Sequence, residues 1–278
     1  MEDRLARLLG DRPIRIERPP GGHTRATRGL VTLTSGGKVF AKLAKDERTA
    51  TALRSEHAIY SALAGDWIPR LIAWEDGPHP ILVLEDLSAF QWPPPWPQDI
   101  EQVLTTLAEV AATKLPFEVG TMERLATSPW VEILEDPDPT IALGVVDREW
   151  IDRFGPMLIE RSSTIDLAGD DLIHADLGAE NLCFTDRGPV IVDWEFVTRG
   201  NRYLDVATIM LDYRLSGGRP PDGALPDAGA WAALLAGFMG VQAARPPPAW
   251  AEDGPRLRDL QCRAFAGAIE WAIHELAT

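Results

Sequence analysis

The sequence predicts an α+β protein of two lobes, a β-rich N-terminal lobe and a mainly helical C-terminal lobe. Three observations carry this. Up to residue 84 the chain reads as short β-prone runs around one helix. Residues 91–99, QWPPPWPQD, hold too much proline for a helix or a central strand and read as a crossover. From residue 100 the chain reads as mostly helical, interrupted by one hairpin. The lobes are therefore set at 1–84 and 100–278, with residues 85–99 linking them.

Taken in order, residues 29–34 and 38–43 are β-prone, and Ser35-Gly36-Gly37 between them is a hairpin turn. Asp46 is placed to cap a helix that ends before Gly65. Residues 68–74 and 81–84 read as two more strands, split by the turn-rich stretch 75–80. Helices are expected over 100–115, 150–167, 203–215, 228–244 and 256–276. DPDP at 136–139 and RPPP at 245–248 break the helical run.

Composition narrows the function classes. The chain has 278 residues, 45% of them hydrophobic, which suffices for a large domain or two lobes with a real core. A formal net charge of −15 disfavours nucleic acid, whose phosphates need clustered Lys and Arg. The same charge suits a cationic small molecule, although acidity is also an ordinary route to solubility. Cys183 and Cys262 lack metal-ligand spacing and give no disulfide framework, which fits a reducing cytoplasm. The N-terminus does not read as a signal peptide, and no run approaches the ~18 apolar residues of a membrane span.

Residues 172–196, LIHADLGAENLCFTDRGPVIVDWEF, place His174, Asp176, Asn181 and Asp193 beside apolar strands. If Asp186-Arg187-Gly188 is the loop, Thr185 faces Pro189 and Asn181 faces Asp193. Directly opposed residues have Cβ atoms about 4.5–5.5 Å apart, so this amide and carboxylate can hold one hard cation such as Mg²⁺. Asp176, five residues before Asn181, is within reach of the same spot without having to be a ligand. A carboxylate there can take the proton of an attacking hydroxyl. One such residue would be read as a turn cap, but four together are costly beside apolar strands without partners.

In the N-terminal half, Lys42 of KVFAKLA shares a strand face with Phe40 and Lys38. Leu53, Glu56, Tyr60 and Leu63 follow at helical spacing, so Glu56 lies within an apolar stripe. A carboxylate there calls for a cation, and Lys42 is the candidate.

His174-x-Asp176-x-x-x-x-Asn181, then Asp193-Trp194-Glu195 after an apolar strand, resembles the aminoglycoside phosphotransferase and choline kinase-like enzymes, which have the protein-kinase-like fold. Gly200 and Asp205-Val206-Ala207 continue the likeness. The resemblance implies a nucleotide-binding lobe over 1–84, a hinge and crossover over 85–99, and a catalytic and acceptor-binding lobe over 100–278. It implies Asp176 as catalytic base, Asn181 and Asp193 as Mg²⁺ ligands, His174 as a supporting residue, and Asp205 as a brace under the catalytic loop. Lys42, oriented by Glu56, would contact the α- and β-phosphates of ATP or GTP. Gly21 and Gly22 in RPPGGHTRATRG would approach the phosphates, though this is neither the protein-kinase glycine pattern nor a Walker A loop. His23, Thr24 and Arg25 either hold phosphate or form a polar turn. ILVLEDLS at 81–88 is similar to the family's hinge, so backbone groups near Glu85 and Leu87 would bind adenine; an ordinary edge strand and turn would read the same. The specific motifs occupy 174–207, and 101–170 is matched by order alone.

The implied activity is phosphoryl transfer from ATP or GTP to a hydroxyl of a small molecule. The acceptor is expected to be an antibiotic of aminoglycoside, nucleoside or macrolide type. A metabolic kinase for choline, homoserine or a sugar is the alternative, and an inactive nucleotide-binding scaffold ranks below it. A two-metal hydrolase ranks last, because only His174 of five histidines is near the cluster. Trp92 and Trp96 either wall an acceptor pocket or pack one lobe on the other. Glu270, Trp271, His274 and Glu275 either reach substrate or form a solvated face with one core aromatic. No nucleic-acid or membrane partner is expected, and the chain would be a monomer or homodimer.

Overall fold

The computed structural model describes residues 1–19, 26–92, 99–248 and 254–276. These fall into two compact units. The first lies within Met1–Pro95, Leu115–Glu118 and Ala179–Phe196, the second within Trp96–Lys114, Val119–Gly178 and Val197–Thr278.

The first unit is built on an antiparallel sheet of β1 (Pro13–Glu17), β2 (Thr27–Leu33), β3 (Lys38–Leu43), β4 (Leu71–Glu75) and β5 (Ile81–Glu85), in the order β1-β2-β3-β5-β4. Alternation sorts its side chains by face. Val31 and Leu33 of β2, Val39 and Ala41 of β3, and Ile81 and Val83 of β5 form one core cluster with Leu5. Leu5 belongs to α1 (Glu2–Leu9), whose Leu8 and Leu9 pack against the same cluster, as does Met1 at its N-cap. This helix is absent from the expected elements: two turns give too little periodicity to read. The turn at Ser35-Gly36-Gly37 forms, with Gly36 at φ 86° and Leu33 N–H donating to Gly37 O at 2.8 Å.

The other face of β3 carries Lys42, toward α2 (Glu47–Ala62). Asp46 caps this helix through a capping box: Thr49 N–H donates to Asp46 Oδ1 at 2.8 Å, and Asp46 N–H donates to Thr49 Oγ1 at 3.1 Å. Strand β4 begins three residues later than position 68, although Ile68 is itself buried.

The hairpin β7 (Leu182–Thr185) and β8 (Gly188–Ile191) belongs to this unit. Its register corrects the expected one. Thr185 pairs with Gly188 and Leu182 with Ile191, so the turn is the two residues Asp186-Arg187. Gly188 takes φ 104°, which lets the shorter turn close. The one-residue slip puts Asn181 opposite Val192, whose N–H donates to Asn181 O at 2.9 Å. Asp193 lies past the ladder, at φ 69°, and leads into a 3₁₀ turn at Trp194–Phe196.

The second unit holds α3 (Ile100–Ala112), α4 (Pro129–Glu135), α5 (Asp138–Ile141), α6 (Arg148–Ser162), α7 (Tyr203–Leu215), α8 (Ala228–Ala244) and α9 (Gly254–Leu276), with a short ladder of β6 (Asp171–Ile173) on β9 (Thr198–Gly200). Helix α8 is apolar on nearly every side and forms the centre of this unit, packed by α9, α6 and α4. Glycines permit that closeness: a Cβ at Gly237 would lie 2.9 Å from Trp130 Cδ1, and one at Gly240 2.8 Å from Phe265 Cε2. Trp130 is fully buried and gives its indole N–H to Ala233 O at 2.7 Å.

Two helices stop earlier than expected. In α6 the end is rich in hydroxyls that take up carbonyls: Ser162 Oγ donates to Leu158 O at 2.6 Å, and Thr164 Oγ1 to Arg161 O at 2.7 Å. After α3, Thr113 Oγ1 donates to Glu109 O at 2.8 Å, and Pro116 follows. Among the described residues no helix is long and apolar enough to cross a membrane.

Candidate active site

In the first unit, β3 and α2 bring Lys42 and Glu56 together in a buried ion pair. Lys42 Nζ donates to Glu56 Oε1 at 2.9 Å and Oε2 at 2.7 Å. It also donates to Asp193 Oδ1 at 2.6 Å, so one ammonium serves two carboxylates. Glu56 is 2% exposed, whereas the Asp193 side chain is 37% exposed and can be approached from solvent. Burial alone would lower the Lys42 pKa, but Asp193 and Glu56 outweigh it and keep the ammonium charged. Burial pushes the Glu56 carboxyl up to about 7, against the pull of Lys42.

Two residues that the sequence left without a site role join this cluster. Tyr60, one turn past Glu56, accepts a hydrogen bond from the Asp193 N–H at 3.2 Å. Its signal was its place in the stripe that holds Glu56. Glu195 is half-buried near Asp193; burial and that neighbouring carboxylate raise its pKa, while Lys42 and Arg48 oppose.

The donor set suits a hard cation. Asn181 and Asp193 offer oxygen ligands, and among the described residues no group of three or more His, Cys, Asp or Glu forms a self-sufficient metal cage. Mg²⁺ in nucleotide sites takes one or two carboxylates plus phosphates, so the residues present fit it. The fit no longer rests on a directly opposed Asn181–Asp193 pair, which the register removes.

The expected hinge residues have committed contacts. Glu85 N–H donates to Arg70 O at 3.0 Å, and Leu87 O accepts from Phe90 N–H and Trp92 Nε1, both at 3.1 Å. The Glu85 side chain is clamped by the hairpin turn: Arg187 Nη1 reaches Oε1 at 3.1 Å and Nη2 reaches Oε2 at 2.7 Å, while Arg187 Nε donates to Asp66 O at 2.8 Å. Burial raises the Glu85 carboxyl, but Arg187 and Arg70 hold it below the usual range. Leu87 packs on Cys183 and Val190, which fastens the hairpin to the segment after β5. Arg187→Ala should cost about 1–2 kcal/mol, read as a lower denaturant midpoint, because a forked charge-assisted pair is lost at a site only partly open to water. An unchanged midpoint would show that the clamp adds nothing. Gly21, Gly22 and His23–Arg25 lie outside the described residues, as does Trp96.

In the second unit, a loop after β6 carries Asp176 on its exposed side. Three consecutive backbone N–H groups are held from below. His174 N–H donates to Asp205 Oδ2 at 2.7 Å, Ala175 N–H to Asp205 Oδ1 at 3.0 Å, and Asp176 N–H to His174 Nδ1 at 3.3 Å. His174 is fully buried, and Ala175 is held at φ 64°, a left-handed conformation that needs such support. A Cβ at Gly178 would lie 3.3 Å from Asp212 Oδ2 on α7, so that helix runs close to the loop at Gly178 as well.

Asp205 is 3% exposed, and burial pushes its carboxyl up to about 6 despite the two N–H donors. The folded protein therefore binds this proton more tightly than the unfolded chain does. The associated stability is complete below about pH 4 and is lost as pH rises through 6. Relative to Asp205→Asn, which cannot titrate, the wild type should gain up to about 3 kcal/mol as pH falls over that window. Parallel denaturation curves at several pH values check this; a constant difference between the two proteins would contradict it.

Of Glu270, Trp271, His274 and Glu275 in the last helix, Trp271 alone is a core residue. Trp271 is 1% exposed, gives its indole N–H to Glu275 Oε1 at 3.2 Å, and lies beneath the Arg214 guanidinium. Glu270 and His274 are exposed.

A buried strand lysine paired with a helix glutamate, and an aspartate on a braced loop, are parts of phosphoryl-transfer sites. The family model described as the phosphotransferase enzyme family matches residues 15–246. The chain belongs to this phosphotransferase family. The phosphotransferase also shares its fold with solved kinases. A choline/ethanolamine kinase family protein from Mesorhizobium loti has a TM-score of 0.54 at 16% identity, covering 95% of this chain and 92% of that one. The macrolide 2′-phosphotransferase from Brachybacterium faecium gives 0.53 at 15%, covering 95% and 97%. An amicoumacin kinase in complex with AMP-PNP, Ca²⁺ and Ami gives 0.51 at 11%, covering 95% and 91%. No curated protein is matched in sequence. The phosphotransferase thus has the kinase-like α+β architecture of these solved structures.

Proposed function

We propose that this phosphotransferase moves the γ-phosphate of ATP or GTP to a hydroxyl of an antibiotic, of aminoglycoside, nucleoside or macrolide type, and so inactivates it. The observation that carries the nucleotide part is the Lys42–Glu56–Asp193 cluster. Lys42 binds the α- and β-phosphates, and Glu56 fixes its direction. Asn181 and Asp193 hold a divalent cation, Mg²⁺ in this reading, which when bound offsets charge on the phosphates. Backbone groups near Glu85 and Leu87 bind the adenine. Asp176 orients the acceptor hydroxyl and takes its proton. Loss of Lys42, Asp176, Asn181 or Asp193 would support an inactive scaffold, and none of the four is lost.

The acceptor class is supported by fold relatives named as a macrolide 2′-phosphotransferase and an amicoumacin kinase. A second reading, a metabolic acceptor such as choline or ethanolamine, is favoured by the kinases of those names among the same relatives. The net charge of −15 suits a cationic acceptor in either case. The test is release of ADP from ATP, or of GDP from GTP, with Mg²⁺ over aminoglycosides, macrolides, nucleoside antibiotics, choline, ethanolamine, homoserine and common sugars. Stimulation by an antibiotic, with one phosphoryl group found on it by mass spectrometry, supports the first reading. Stimulation by choline or ethanolamine alone replaces it with the second.

A further inference from the structure

Helix α2 sends two side chains to the cluster from one face, since Glu56 and Tyr60 are four residues apart. Glu56 engages Lys42. Tyr60 engages the backbone of Asp193, whose N–H donates to the phenol oxygen at 3.2 Å. That backbone has φ 69°, a left-handed conformation that a residue with a Cβ rarely adopts. The turn it makes brings the carboxylate to Lys42 Nζ, and a relaxed, extended Asp193 would point it elsewhere. Tyr60 is 4% exposed, so its ring fills core that a phenylalanine would fill equally well. The hydroxyl is the part that packing does not explain.

We propose that Tyr60 is a positioning residue for phosphoryl transfer: its hydroxyl holds the Asp193 backbone in the left-handed turn that aims the carboxylate at the divalent cation. This rests on the reading of Asp193 as a metal ligand. It also makes α2 a single rigid support for both the lysine and the metal ligand.

The experiment is Tyr60→Phe, which removes one oxygen and keeps the ring, with Asp193→Asn as control. Mn²⁺ affinity is measured by electron paramagnetic resonance with AMP-PNP present, beside nucleotide affinity without metal and the melting temperature. Tyr60→Phe should weaken Mn²⁺ about tenfold, the size of one buried hydrogen bond. Metal-free nucleotide binding should stay within about twofold, because the Lys42–Glu56 pair is untouched. A lower melting temperature with Mn²⁺ affinity unchanged would make Tyr60 a core residue only and overturn the proposal. If Asp193→Asn weakens Mn²⁺ and Tyr60→Phe does not, the inference fails and the metal site stands. If Asp193→Asn leaves Mn²⁺ binding intact, the metal-site reading fails, and the inference with it.

Discussion

Lys42→Met will abolish phosphoryl transfer and destabilise the protein by about 3–5 kcal/mol. Methionine keeps most of the lysine stem and removes the ammonium, with its charge and its N–H donors. What it leaves behind is Glu56, 2% exposed, with the partner of both its oxygens gone. Burial already pushes that carboxyl up to about 7, and removing the ammonium removes the main force opposing the rise. Glu56 would then bind its proton more tightly in the folded protein than in the unfolded chain. The variant should therefore regain stability as pH falls and lose it as pH rises. The double variant Lys42→Met/Glu56→Gln should recover much of the loss, because the stranded charge is gone, yet remain inactive. Denaturant unfolding of the two single variants and the double variant closes the cycle. Equal stability of Lys42→Met and wild type would mean that the pair is structurally idle.

Asp176→Asn should lower kcat by about 10²–10⁴-fold while nucleotide affinity stays within about twofold. The side chain is exposed, and the loop beneath it is held by Asp205 and His174 through backbone N–H groups that the substitution does not alter. The amide matches the carboxylate in shape but cannot take a proton at neutral pH. Lys42 and Glu56 are in another part of the chain and keep their contacts, which is why binding and turnover should separate. A fall in nucleotide affinity as large as the fall in kcat would instead place Asp176 among the binding residues.

Much of this architecture was legible because it follows from local patterns. Two helices, Tyr203–Leu215 and Ala228–Ala244, have the bounds that their sequence predicts. The Lys42–Glu56 pair was legible because period 2 on a strand and period 3.6 on a helix each fix a face, and a carboxylate on an apolar face calls for a cation. Other features depend on tertiary contacts that no spacing encodes. The hairpin register turned on whether Gly188 lies inside the turn or starts the strand, and a positive φ decided it. The left-handed Asp193 and its bond to Tyr60 arise where two segments 133 residues apart meet. Helix α1 was too short for its stripe of Leu5, Leu8 and Leu9 to be distinguished from chance. Arg187 looked like an ordinary turn residue until the fold brought it to Glu85.

The most direct measurement is transfer of labelled γ-phosphate from ATP to the acceptor that best stimulates ADP release, by wild type and Asp176→Asn side by side, with nucleotide binding measured on both. The wild type should give labelled acceptor and the variant almost none, with nearly equal nucleotide affinity. Labelled acceptor formed at the same rate by both proteins would contradict this expectation.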